Sequence, residues 1–359
     1  MVRFEKLTIK DIRRETPDCI SIAFDVPENL KPIYQFTQGQ NLTLRLKLND
    51  EELRRSYSIC SSPLDNELRI AIKRMSHGKF SSHANLKMQK GDAIDVLPPT
   101  GRFYTELRTD HRKKYLAVAA GSGITPIISI IKTTLATEPE SEFTLVYGNR
   151  NRGTIIFKEA LEALKNIYID RLTIIHVLSR EKTDAVINHG RINAEKCEQL
   201  KKLIDFRTMD EIFLCGPEEM IFSVREWLHQ EGIEHRKIHF ELFTTPGSNK
   251  SPVGSLQLTP QQEKGPKSTI NIKLDGIMFD FELLKTGDSI LDAALQQGAE
   301  LPYACKGGVC STCRAKLLQG EVRMDTNYAL EPDELARGFI LTCQSHPVTD
   351  SVVIDFDAK

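Results

Sequence analysis

The chain has 359 residues, 40% of them hydrophobic and 27% charged, and carries a net charge of −1. That length suits two or three domains of ordinary globular composition, and no apolar run is long enough to cross a bilayer. The balanced charge leaves no basic module of the kind that reads DNA, and the start Met1-Val2-Arg3-Phe4-Glu5-Lys6 lacks an apolar signal segment, so a cytoplasmic protein with reduced thiols is expected.

Residues 1–108 read as a strand-rich domain. Residues 21–26, 42–46 and 68–73 alternate polar and apolar side chains. Turns carrying Pro, Gly, Asn and Asp separate them, which predicts an antiparallel barrel. Within it stands Arg54-Arg55-Ser56-Tyr57-Ser58-Ile59-Cys60-Ser61-Ser62-Pro63, then Gly78-Lys79-Phe80-Ser81-Ser82, then Pro98-Pro99-Thr100-Gly101-Arg102-Phe103. Taken alone, the first stretch is an ordinary strand with an exposed arginine. In this order the three resemble the R-x-Y-S motif, the G-x-x-S/T turn and the P-x-G-x-F strand end of the ferredoxin–NADP reductase family. The resemblance implies bound FAD, with Arg55, Ser56, Tyr57 and Ser58 on the flavin. Arg55 would pair with its phosphates, Tyr57 would stack on the ring, and Ser58 would bond near the hydride-accepting N5. Gly78, Ser81 and Ser82 would offer backbone and hydroxyl donors to the pyrophosphate.

Residues 109–243 alternate strands and helices. The buried run Tyr115-Leu116-Ala117-Val118-Ala119-Ala120 leads through Gly121-Ser122-Gly123-Ile124-Thr125-Pro126 into an apolar helix expected from Ile127. Strand, glycine turn and helix N-terminus make a pyrophosphate site where bare amides and the helix dipole face the anion. Gly121, Gly123, Thr125 and Pro126 are its candidates. The G-x-G-x-x-P form also matches the reductase family. Later strands end at Tyr147-Gly148-Asn149-Arg150, Val177-Leu178-Ser179-Arg180 and Phe213-Leu214-Cys215-Gly216-Pro217. By resemblance, Cys215, Gly216 and Pro217 face the nicotinamide, and Cys215 positions its C4 rather than attacking it. The plain alternative for Cys215 is a small buried strand-end residue. Ser179 and Arg180 match the family's pair for the 2′-phosphate of NADPH, with Arg150 and Arg191 adding positive charge. A carboxylate at the strand end, which NADH would favour, is missing there, although Glu181 follows one residue on. The segment closes with Phe240-Glu241-Leu242-Phe243. Here the resemblance implies a proton-handling role for Glu241 and a flavin-covering role for Phe243; an edge-strand Phe is the plain alternative.

Residues 244–267 are rich in Pro, Gly and Ser and read as a linker. Residues 268–359 form a third module, with 8 Lys/Arg against 14 Asp/Glu, net −6, whereas the rest of the chain is net +5. An acidic module on a basic body suits electrostatic docking, on that body or on a partner. Residues 270–274 and 279–283 alternate as a hairpin, and a helix follows over 289–297 with Asp288 as N-cap. Next come Cys305, Cys310, Cys313 and, after a gap of 29 residues, Cys343, in the ligand spacing of a plant-type [2Fe–2S] ferredoxin. A disulfide framework belongs to secreted chains, and structural zinc takes two short hooks rather than one hook and a distant cysteine. Gly307 and Gly308 are expected to make the tight turns that bring amides to the sulfurs.

The expected architecture is therefore multidomain: an antiparallel β-barrel flavin domain, an α/β parallel-sheet NAD(P) domain and an α+β β-grasp ferredoxin domain. With the ferredoxin last, the chain most resembles the family of phenylacetyl-CoA epoxidase reductases. Its cues are residues 303–310, Asn327-Tyr328-Ala329-Leu330-Glu331 and Leu341-Thr342-Cys343-Gln344-Ser345-His346-Pro347. The resemblance implies an electron path from NADPH to FAD to the [2Fe–2S] cluster and on to the oxygenase subunits of a multicomponent complex, a di-iron ring epoxidase. No His/Glu set typical of a di-iron bundle stands in this chain, so oxygen chemistry would belong to the partner. Two alternatives stay open: a reductase serving another Rieske or di-iron oxygenase, and a non-enzymatic iron–sulfur redox sensor.

Overall fold

The computed structural model describes residues 3–243 and 265–358. They form two compact units that meet in sequence between Leu242 and Phe243. Most of the expected linker lies outside the described residues.

The first unit begins with β1 (Glu5–Thr16), β2 (Cys19–Asp25), β3 (Asn41–Leu48), β4 (Glu51–Ser58), β5 (Leu68–Lys73), α1 (Lys79–Lys87) and β6 (Ala93–Val96). The strands make one antiparallel sheet in the order β4-β3-β6-β1-β2-β5. Ile59, just past β4, bridges Ile70 of β5, and the Cys60 amide donates to the Arg69 carbonyl at 2.8 Å. These contacts join the two edge strands and close the sheet, leaving no long unpaired edge. Inside lie Leu7, Ile9, Ile20, Ile22, Leu42, Leu44, Ile70 and Ile72, with Phe80 of α1.

The unit continues with β7 (Lys114–Ala120), α2 (Ile124–Thr137), β8 (Glu142–Asn149), α3 (Lys158–Ile167), β9 (Leu172–Leu178), α4 (Ala194–Leu200), β10 (Glu211–Cys215), α5 (Glu218–Gln230) and β11 (Ile238–Glu241). All five strands are parallel, in the order β11-β10-β7-β8-β9. The chain order reverses between β7 and β10, and such a switch point opens a crevice at the carboxyl ends of the strands. Helix α2 begins at Ile124, three residues before the expected start. Pro126 sits in its first turn, where the missing N–H would have no intrahelical partner in any case. The helix is apolar nearly all round because it is covered on both sides. Ile127 and Ile130 share a core cluster with the barrel's Cys19, Cys60, Ala71 and Phe103 and with Phe213 of β10. Two buried bonds add to the seam: Ser129 Oγ donates to the Ser61 carbonyl at 2.6 Å, and the Ser62 and Thr133 hydroxyls meet at 2.9 Å. Each contributes about 1 kcal/mol.

The second unit holds β12 (Lys267–Leu274), β13 (Ile277–Leu284), α6 (Ile290–Gln296), β14 (Arg314–Gln319), β15 (Val322–Met324), α7 (Pro332–Ala336), β16 (Phe339–Leu341), β17 (Ser345–Pro347) and β18 (Ser351–Asp355). The main sheet runs β13-β12-β18-β14-β16, with β12 and β18 parallel at its centre and the other pairs antiparallel. Ile270, Ile272, Val352 and Ile354 cover Ile290, Leu291 and Ala294 of α6. The cap of α6 is Ser289, whose Oγ accepts from the Asp292 amide, and not Asp288, which accepts from Gln296 instead. Among the described residues, no helix is long and apolar enough to cross a membrane.

Candidate functional site

β4 carries the R-x-Y-S residues in register against β3, with Tyr57 opposite Leu42 and Ser58 opposite Asn41. Arg55 is exposed, its guanidinium bonded to the Arg54 carbonyl at 2.6 Å. Tyr57 packs its ring 5.6 Å from Phe80, and burial pushes its phenol well up. Gly78 caps α1, and a Cβ there would stand 2.4 Å from Ser81 Oγ. Ser81 braces this turn: its hydroxyl accepts from the Met75 amide at 3.1 Å and donates to the Gly78 carbonyl at 3.3 Å. The first-turn amides of α1 and the half-buried Ser82 remain as donors for an anion. Guanidinium, aromatic ring and helix start together suit a flavin dinucleotide.

At the switch point, Gly121-Ser122-Gly123 forms one tight helical turn before α2. Gly121 has φ 55°, and Tyr147 Oη donates to its carbonyl at 2.9 Å. A Cβ on Gly123 would stand 2.0 Å from the Cys215 carbonyl oxygen, so the two strand-end loops approach this closely only because no side chain intervenes. Thr125 Oγ1 donates to the Ser122 carbonyl at 3.0 Å and locks the turn. Gly216 abuts Ala120 on the same seam, and Pro217 caps α5.

Three candidate catalytic residues converge here from distant segments. Cys215 pairs in register with Glu241 of β11, and the barrel's Ser58 donates its hydroxyl to Glu241 Oε2 at 3.1 Å. Burial raises Glu241 to about 7, against the opposing hydrogen bonds from Ser58 and Asn41. Burial, with the Glu241 charge behind it, pushes the Cys215 thiol far up, so it is a neutral group rather than a nucleophile. Phe243, just past β11, is exposed.

A pH dependence follows from Glu241. Its folded value lies above the ordinary 4.5, so the stability tied to the neutral form is complete below 4.5 and is lost as pH rises towards 7. Glu241→Gln is therefore expected to raise stability by roughly 3 kcal/mol at pH 8 and to change little at pH 4.5. The buried Trp227 of α5, the single tryptophan, reports the urea transitions. Equal gains at both pH values would contradict a carboxyl held neutral by burial.

The outer strand ends place the arginines together. The Ser179 amide donates to the Asn149 carbonyl at 2.9 Å, and the Arg180 amide to the Arg150 carbonyl at 2.8 Å. Both arginines are exposed. Glu181 accepts from the Arg152 amide at 2.8 Å and faces its guanidinium at 3.4 Å. Arg191 is exposed farther along the chain.

In the second unit the four ligand candidates pair two by two. The Cys305 and Cys310 thiols lie close enough to influence each other's ionisation, as do those of Cys313 and Cys343. The Cys310 thiol and the amides of Gly307, Val309 and Cys310 hold Cys305 down at about 6. The Gly307 amide lies 3.3 Å from its sulfur. Left-handed turns fall at Lys306 (φ 53°) and Gly308 (φ 74°) rather than at Gly307. Among the described residues no three His, Cys, Asp or Glu converge on one ion. A binuclear cluster asks for two thiolates per iron instead, and the paired thiols with their ring of amides fit that demand. Motif reading missed Asn41, which lies beside Glu241, and included Gln344 only as the neighbour of the fourth ligand, without its bond across the cysteine loop.

Comparison with known proteins is consistent over the full length. Family models match residues 6–104 as an oxidoreductase FAD-binding domain, 117–226 as an oxidoreductase NAD-binding domain and 272–348 as a 2Fe-2S iron-sulfur cluster binding domain. The chain is 45% identical over 360 residues to a subunit of the 1,2-phenylacetyl-CoA epoxidase of Escherichia coli (strain K12), covering 100% of this chain and 99% of that one. It is 33% identical over 356 residues to the ferredoxin reductase component of 3-ketosteroid-9-alpha-monooxygenase of Rhodococcus rhodochrous, covering 98% and 96%. Among solved structures, phthalate dioxygenase reductase matches 98% of both chains with a TM-score of 0.59 at 23% identity, a likeness of fold.

Proposed function

The chain belongs to the ferredoxin–NADP reductase superfamily with a C-terminal [2Fe–2S] domain, in the family of the phenylacetyl-CoA epoxidase reductases, and we propose that it draws electrons from NADPH and delivers them to a di-iron oxygenase that epoxidises the ring of phenylacetyl-CoA. Bound FAD would supply the conversion of one hydride's two electrons into single electrons, which a [2Fe–2S] cluster would carry one at a time. The observation that carries the reading is the meeting of Ser58, Cys215 and Glu241 at the switch point.

Arg55, Ser56 and the α1 turn would hold the FAD phosphates, with Gly78 and Ser82 at that turn and Ser81 bracing it. Tyr57, steadied by Phe80, would lie along the flavin ring, and Phe243 would cover its other face. Gly121, Gly123, Thr125 and Pro126 would present the nucleotide pyrophosphate with amides and no clashing side chain. The neutral thiol of Cys215, with Gly216 and Pro217, would orient the nicotinamide without reacting with it. Ser58 would hold the edge of the ring, and Glu241, its carboxyl near neutrality, would give or take the accompanying proton. Ser179, Arg180 and Arg150 favour NADPH over NADH, with Glu181 held by Arg152 rather than placed at the strand end. Cys305, Cys310, Cys313 and Cys343 would bind the cluster.

The test is NADPH oxidation by the purified protein with the phenylacetyl-CoA oxygenase subunits, with and without phenylacetyl-CoA. Substrate-stimulated oxidation with epoxide formation is expected. Brisk cytochrome c reduction without that coupling would keep the electron chain and reject this partner. The 33% identical ketosteroid monooxygenase component favours, in that event, a different oxygenase as the acceptor.

A further inference from the structure

We propose that Gln344 is a positioning residue for the cluster, clamping the 305–310 loop to the segment of the fourth ligand and adding an N–H donor at the Cys343 sulfur that raises the reduction potential. The inference rests on the reading of the four thiols as [2Fe–2S] ligands. Of the two hydrogens on the Gln344 amide nitrogen, one donates to the Lys306 carbonyl at 2.9 Å, and the other is shared between the Cys343 carbonyl at 3.0 Å and Cys343 Sγ at 3.8 Å. Its carbonyl oxygen accepts from Thr326 Oγ1. Two backbone carbonyls can only accept, so the nitrogen must face them, and the Thr326 hydroxyl then donates to the oxygen on the far side.

The clamp closes where the loop is most constrained. Lys306, whose carbonyl it takes, is in the left-handed region at φ 53°. The same segment that holds the amide also covers the loop, since the Tyr328 amide donates to the Gly308 carbonyl at 3.0 Å. Gln344 is half-buried beside the buried Cys343, so its bonds are only partly shared with water. A reduced cluster carries one more negative charge than an oxidised one. A donor at a ligand sulfur therefore stabilises the reduced form more.

The experiment is a redox titration of the full-length holoprotein, followed by the electron paramagnetic resonance of the reduced cluster. In Gln344→Leu, reduction is expected to become about tenfold less favourable, a midpoint about 59 mV lower. Thr326→Val, which touches no sulfur, is expected to shift it the same way by less, because the amide loses its orienting bond. An unchanged midpoint in Gln344→Leu, at wild-type iron and sulfide content, overturns the proposal. Should Gln344→Leu lose the cluster, Thr326→Val decides: a lowered midpoint supports the clamp and an unchanged one overturns it. Wild-type protein lacking iron and inorganic sulfide would sink the ligand reading instead.

Discussion

Replacing Cys343 with serine is expected to stop delivery to one-electron protein acceptors while leaving NADPH oxidation at the flavin intact. Cys343 is buried, sits on the short stretch between β16 and β17, and has Cys313 as its neighbouring thiol. Serine there is a poor iron ligand, and the second iron would keep only one protein thiolate. Cytochrome c reduction should fall by at least about 100-fold as the cluster is lost, and ferricyanide reduction should stay within about twofold of wild type because it needs the flavin alone. The measurement is paired: both acceptor rates, with iron content and the visible spectrum. Parallel loss of both activities would mean that the cysteine supports the fold of the whole chain rather than one module. Undiminished cytochrome c reduction would place the exit of electrons at the flavin.

Removing the Arg180 guanidinium is expected to raise the KM for NADPH by about 10- to 100-fold at nearly constant kcat, since a charge-assisted bond to phosphate is worth about 1.5–3 kcal/mol. The KM for NADH should barely move, because that nucleotide has no 2′-phosphate to lose. A rise in KM alone marks binding lost equally from ground and transition states. Arg180→Ala combined with Arg150→Ala should push the preference further, as the two residues sit side by side through the 2.8 Å backbone bond. An equal penalty on both nucleotides would remove this edge from phosphate recognition.

Local signals were readable in the chain. The hook of Cys305, Cys310 and Cys313, the two glycine turns and the alternating strands each sit within a dozen residues, so their chemistry is written where they stand. Even there, boundaries drifted: Pro126 suggested a helix starting after it, whereas its ring fits inside the first turn of α2. Asp288 was the expected cap, but the Ser289 hydroxyl reaches the Asp292 amide and Asp288 turns to Gln296. What the chain did not disclose depends on long-range neighbours. The high pKa of Glu241 is set by its burial, against the hydrogen bonds of Ser58 and Asn41, which are 183 and 200 positions away. The clamp by Gln344 crosses 38 residues to Lys306. Burial and cross-chain bonds of this kind leave no periodic mark.

The barrel and the parallel sheet share Cys19, Cys60, Ala71 and Phe103 with Ile127 and Ile130, and are stitched by Ser61 and Ser62 to α2. A chimaera that grafts a foreign nucleotide domain at residue 108 would strip those side chains of their cover and leave two sticky, half-made proteins. A graft made after Leu242 would exchange one finished module for another, so reassorting electron carriers in this lineage is easiest at that single point.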